Sequence, residues 1–162
     1  MSIRPAVPTD LPAVQRLLRE TWHATYDAIY GPPKVEAFSR DWHSIEGLAR
    51  QLTQPQSVFL VAEQAGAVIA TSFAYEMEPG LVRLSRLYVH PSAQTRGLGA
   101  RLMQATLAPF GPMVRVRLDV EALNSKALRF YERHGFVQIG ALDDIDPSSG
   151  SGTLVLQREI AA

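Results

Sequence analysis

The strongest constraint on what this chain can fold into is a strand, a helix and a second strand following one another at its centre. Residues 81–90, LVRLSRLYVH, read as a long strand with partial alternation, closed by Pro91. Residues 98–108, LGARLMQATLA, place Leu98, Leu102 and Ala105 on one helical face and stop at Pro109. Residues 113–122, MVRVRLDVEA, alternate apolar and polar residues almost without a break, which predicts a half-buried strand with Arg115, Arg117, Asp119 and Glu121 on one face. No composition shift marks a linker, so the expectation is one domain spanning residues 1–162.

Other elements flank this unit. After an opening strand, residues 9–26 predict an amphipathic helix with Thr9 or Asp10 as cap, Pro12 in its first turn, and Leu11, Val14, Leu18 and Trp22 on its apolar face. The segment GPPKVEAF at 31–38 reads as a break, and residues 44–53 as a second helix ending before Pro55. Residues 57–78 read as two strands joined at EQAG. Residues 124–135, NSKALRFYERHG, predict a short helix with Asn124 at its start and Gly135 as C-cap. Two last strands come after it, FVQIGALDD and GTLVLQREI, around a Ser- and Gly-rich loop expected to be mobile. The order is that of a mixed α+β chain.

Composition narrows the chemistry. Lys plus Arg and Asp plus Glu both number 16, so no basic footprint points to nucleic acid. The absence of cysteine removes disulfide scaffolds, thiolate metal sites and cysteine nucleophiles, and the four histidines lack the paired spacing of a metal site, so no metal is expected. No apolar stretch approaches the roughly 20 residues of a membrane span. A cytoplasmic protein without nucleic-acid or membrane partners is the expectation.

The stretch QTRGLGARLM, residues 94–103, puts two glycines at a helix start. Unpaired N–H groups and the positive end of the helix dipole make such a start an anion site, and glycine lets a ligand approach its backbone. The segment predicts a phosphate cradle with main-chain donors at Arg96, Gly97, Gly99 and Ala100, or a loop that only caps the helix. It lacks the Gly-Lys-Ser/Thr of a P-loop and the third glycine of a dinucleotide fingerprint.

Gln94-Thr95-Arg96-Gly97-Leu98-Gly99 resembles the Q/R-x-x-G-x-G/A signature of the GNAT superfamily of acyl-CoA-dependent N-acetyltransferases. LDVEALNSKALRFYERHGF is similar to that family's second motif, and TWHATYDAIYGP to the first helix of many small members. The resemblance implies a central mixed, mostly antiparallel sheet of about six to seven strands with splayed middle strands and about four helices. It implies acetyl-CoA as cosubstrate, its pyrophosphate on residues 94–100, including Ala100, and its pantetheine arm along Leu87-Tyr88-Val89. The Val89 N–H would then face the thioester carbonyl, and Asn124 would contact the same ligand. The implied reaction is acetyl transfer to a primary amine of a small molecule or peptide in a ternary complex. Homodimerisation is compatible with it. The rival readings are a non-catalytic domain that senses coenzyme A or a nucleotide phosphate, and a regulatory domain with an empty loop.

The reaction needs a proton acceptor for the amine and a donor for the thiolate. By the resemblance Tyr131 is the acid; by periodicity alone it shares a face with Ala127 and Leu128 as a core aromatic would. Asp119 falls where some relatives keep a catalytic glutamate, Glu121 shares its strand face, and both are also what a solvated face would carry. Glu76, Glu78 and His23 are further candidates for the base. Trp22, Tyr26 and Glu76 are expected to touch the acceptor, and DDID at 143–146 is the one dense acidic cluster.

Overall fold

The computed structural model describes residues 1–94, 97–142 and 152–159. Its strands are β1 (Ser2–Pro5), β2 (Ser57–Gln64), β3 (Ala67–Glu78), β4 (Leu81–Val89), β5 (Arg115–Glu121), β6 (Val137–Leu142) and β7 (Thr153–Arg158). They form one sheet in the order β1-β2-β3-β4-β5-β7-β6. Only β4 and β5 run parallel; every other pair is antiparallel. The helices are α1 (Leu11–Tyr30), α2 (Pro32–Trp42), α3 (Ile45–Leu52), α4 (Leu98–Leu107) and α5 (Ser125–Arg133). This is the α+β class expected from the sequence. None of the described helices is long and apolar enough to cross a membrane.

Period-two alternation makes the sheet two-faced. Phe59, Val61 and Phe73 bury against Leu11, Val14 and Leu18 of α1 and Leu48 of α3. On the opposite face Leu60, Ala62 and Ala70 meet Leu98 and Leu102 of α4, and Val116, Leu118, Val120 and Phe136 continue the core with Met103 and Leu107. The four residues that repeat along α1 in the sequence, Leu11, Val14, Leu18 and Trp22, are all buried.

One expectation fails. GPPKVEAF does end the first helix, at Gly31 with φ 88°, but it then starts α2 rather than a loop. Pro32 and Pro33 occupy the first turn, where a missing N–H costs nothing and the fixed φ suits a helix. The described residues therefore hold five α-helices, one more than the sequence segments delimit and in keeping with the expected architecture of about four. The anticipated side-chain cap by Asp10 is also absent: its carboxylate instead accepts from Val7 N at 2.8 Å and pairs with Arg4 at 2.8 Å. The Ser- and Gly-rich loop and the DDID cluster lie outside the described residues.

An ionic cluster ties α2 to α1. His23 Nδ1 lies 2.7 Å from Asp27 Oδ1 and its Nε2 2.7 Å from Glu36 Oε2, while Arg19 Nε donates to Glu36 at 3.0 Å. Hydrogen bonds to Glu36 and then Asp27 raise the His23 pKa above the ordinary imidazole value. The folded state holds this proton more tightly than the unfolded chain, so the stabilisation is full below about pH 6.5 and fades as pH climbs through the raised value. His23→Gln is expected to be less stable than the parent near pH 6, with the gap closing by about pH 9. Urea denaturation of both proteins across that range measures it.

Candidate active site

The site begins where two neighbouring strands part. β4 and β5 pair only at Leu81–Arg115, Val82–Val116 and Arg83–Arg117. Opposite β3, Phe73 pairs with Arg86 and Ala74 with Leu84, which leaves Ser85 as an extra residue in β4. Such a bulge twists a strand and re-aims the side chains beyond it. Before it Val82 and Leu84 face the α4 side; beyond it Leu87 and Val89 do so, while Arg86 and Tyr88 face α1.

Beyond Arg83 one edge of β4 is open. His90 N–H donates to Ile69 O at 2.8 Å, and antiparallel hydrogen bonding alternates, so the amide groups of Leu87 and Val89 point away from β3 into the gap. Gln94 Nε2 takes the Val89 carbonyl at 2.8 Å, and its Oε1 accepts from Lys126 at the start of α5. The gap widens into a cavity of about 1130 Å³ lined by α1, both parted strands, the start of α4 and α5.

Gly97, with φ 69°, is the left-handed residue before α4, and a Cβ there would meet nothing within 4 Å. Gly99 lines the cavity, and its Cβ would lie 3.5 Å from Phe130 and 3.9 Å from Val89 Cγ2. Ala100 lines it too. Leu98, expected among the ligand-binding residues, turns its side chain into the core with Leu60 and Leu102 instead. Thr95 and Arg96 lie outside the described residues. Asn124 caps α5 by accepting from Ala127 N at 3.2 Å and reaches the Tyr26 hydroxyl at 3.4 Å.

The carboxylates separate into distinct environments. Asp119 is bridged to Arg83 at 2.8 Å. Glu121 is buried, accepting from the Tyr30 hydroxyl through Oε2 and from Leu123 N at 3.3 Å through Oε1. Both line the cavity, as do Trp22 and Tyr26. Glu76 does not: it sits with Gln56, Ser57 and Phe110 in a separate hollow, because β3 carries its far end away from the opening. His23 is held in the α1–α2 cluster and is not among the lining residues.

Tyr131 is clasped between Phe130 and Phe136, with ring centroids 5.2 and 5.4 Å away. It also lines the cavity, and among the described residues its hydroxyl has no hydrogen-bond partner. Burial, reinforced by nearby Tyr88, pushes its pKa far up, so the phenol keeps its proton at physiological pH. Tyr88 is pushed up by burial as well, against the Trp22 indole and the Arg86 guanidinium. Arg83 and Arg86 were not singled out from the sequence, whereas Tyr30 was read there only as one of a group of aromatics. Trp22, Tyr26 and Tyr30 recur every fourth residue and form one buried stripe.

Residues 26–143 match the acetyltransferase (GNAT) domain family. An uncharacterised N-acetyltransferase of Mycobacterium tuberculosis is 29% identical over 131 residues, covering 79% of this chain and 83% of its own. A spermidine N(1)-acetyltransferase of Thermoplasma acidophilum is 25% identical over 142 residues, covering 84% of this chain and 88% of its own. Among solved structures, the PaiA N-acetyltransferase of Thermoplasma acidophilum in complex with coenzyme A superposes with a TM-score of 0.84 at 24% identity over 98% of each chain. The ribosomal-protein-S18-alanine N-acetyltransferase of Escherichia coli superposes with a TM-score of 0.76 at 19% identity, over 99% of this chain and 94% of that one. The chain belongs to the GNAT acetyltransferase family.

The two glycines are expected to separate stability from binding. Gly97→Ala must hold a left-handed backbone at a cost of roughly 1–2 kcal/mol, read as a lower Tm. Gly99→Asp has room for its Cβ and is expected to melt near the parent, yet to lose about tenfold or more in coenzyme A affinity by calorimetry, because its carboxylate sits where a helix start favours phosphate.

Proposed function

We propose that the protein transfers an acetyl group from acetyl-CoA to a primary amine bound between α1 and β5, by direct attack in a ternary complex. The observation that carries the reading is the approach of a buried carboxylate and a protonated phenol to one opening from opposite faces of the sheet: Glu121 beside Tyr30 of α1, and Tyr131 on α5.

The donor's pantetheine arm runs along the open edge of β4, where the Leu87 and Val89 amides have no strand partner, and its phosphates lie toward Gly97, Gly99 and Ala100. Gln94 and Lys126 fix that end of the strand. The amine nitrogen attacks the thioester carbon, a C–N bond forms and the C–S bond breaks. The Val89 N–H stabilises the oxyanion, the amine proton passes to Glu121, and Tyr131 protonates the departing thiolate. Glu121 then loses its proton to solvent and Tyr131 regains one. Asp119 and Glu121 are the two candidates for the base; the bridge of Asp119 to Arg83 favours a wall-holding part for it and supports Glu121 as the acceptor. Trp22 and Tyr26 form the acceptor wall, and Asn124 orients Tyr26 at the mouth.

Tyr131→Phe keeps the ring packing and removes the donor, so kcat is expected to fall roughly ten- to a thousandfold with the acetyl-CoA KM within a few-fold. Glu121→Gln should lower kcat and remove the acidic limb of the pH–rate profile, which Asp119→Asn should keep. Thiol release with a panel of amines measures all three. Full kcat in Tyr131→Phe would return that residue to packing, and an unchanged acidic limb in Glu121→Gln would return the base to solvent.

A further inference from the structure

Behind the acceptor end of the cavity lies a cation without a counter-charge. The Arg86 side chain belongs to a residue only 6% exposed, and its guanidinium lies 4.7 Å over the Phe59 ring and 5.4 Å over Phe73. One nitrogen, Nη1, donates to the neutral Gln51 Oε1 at 2.8 Å. Among the described residues Nε and Nη2 have no partner, and no carboxylate pairs with this side chain. Burial lowers its pKa to about 10, which still leaves it charged at neutral pH.

The two idle nitrogens are the pair that lies along one side of the guanidinium plane, the fork that meets both oxygens of a carboxylate. Three other buried polar atoms, Thr21 Oγ1, Trp22 Nε1 and His43 Nδ1, also lack partners among the described residues. His43 packs edge-on against Trp22 at 5.5 Å, and burial together with the Arg86 charge holds its pKa near 4, so it is neutral. Thr21, Arg86 and Tyr88 line the cavity. A buried charge with nothing opposite it is a standing cost, one that an apolar side chain of similar volume would remove.

We propose that this recess takes the carboxylate of the acceptor, which makes the acceptor an amino acid: its amine faces Glu121, and its carboxylate faces the Nε–Nη2 edge of Arg86 with Thr21 and His43 beside it. The assignment of the amine end rests on the acetyl-transfer reading above. The presence of an anion in the recess does not.

The test measures thiol release with acceptor pairs that differ only in the carboxylate, phenylalanine against phenethylamine and 5-aminopentanoate against pentylamine. The parent is expected to favour the acid member about tenfold or more in kcat/KM, expressed in KM, and Arg86→Met to bring that ratio toward one. Arg86→Gln serves if Arg86→Met does not fold. A second arm tracks melting with phenylacetate at fixed ionic strength and no amine: Tm should rise in the parent and not in the variant. Equal use of both members of each pair, or a preference that survives loss of Arg86, overturns the proposal. A phenylacetate-dependent rise in Tm without any pair preference assigns the recess to a separate anion and overturns the acceptor assignment. No turnover with any amine overturns the acetyl-transfer reading instead, and the phenylacetate arm still decides the recess; no effect in that arm means that internal water satisfies Arg86 and overturns the anion site.

Discussion

The separation of β4 from β5 is the constraint on which the rest of the site depends. Three paired positions hold the strands together, and past Arg83 and Arg117 they diverge. In a continuous sheet the amides of Leu87 and Val89 would be spent on a neighbour. Here they have no strand partner, and the sheet gains an opening through its middle. The bulge at Ser85 is part of the same device: by adding one residue it turns Arg86 and Tyr88 toward α1 while keeping Leu87 and Val89 against α4, so polar and apolar sides remain sorted as the strand leaves its partner.

The opening is asymmetric, and that asymmetry organises the chemistry. On the α1 side the walls are charged or hydroxylated: Arg83 with Asp119, Tyr30 with Glu121, Arg86 over its phenylalanine rings. On the α5 side Tyr131 keeps a phenol proton between the Phe130 and Phe136 rings, with Asn124 and Lys126 at the start of that helix. The opening thus presents a buried carboxylate from one face and a protonated phenol from the other.

Much of this was legible in the sequence where the chemistry is local. Asn124 is read as a cap, and its oxygen does serve a backbone N–H three residues on; the EQAG turn is read from Gly66 at the break between two β-rich runs, and Ala65 and Gly66 both take positive φ there. Gly31-Pro32-Pro33 misled, since the same prolines that end one helix are well placed to begin another. What the sequence could not show depends on register. Glu76 and Glu121 look equivalent as acids near strand ends, and only the pairing of β3 sends Glu76 away from the cavity. Tyr30 and Glu121 are 91 residues apart, and the bulge that aims Arg86 is invisible in a stretch, LSRLYV, that nearly alternates without it.

The place of β7 between β5 and β6 bears on how the molecule is made. β6 precedes its partner in the sheet and sits at the edge, with Val137, Ile139 and Leu142 exposed. During synthesis everything up to α5 can assemble as it leaves the ribosome, but β6 has no strand to join, and the free edge of β5 has no cover, until β7 has emerged. Glu121 lies on that edge, opposite Thr153. The wall that carries Glu121 is therefore the last to be fixed, and a nascent chain can have the open edge of β4 and the start of α4 in place before that wall is covered.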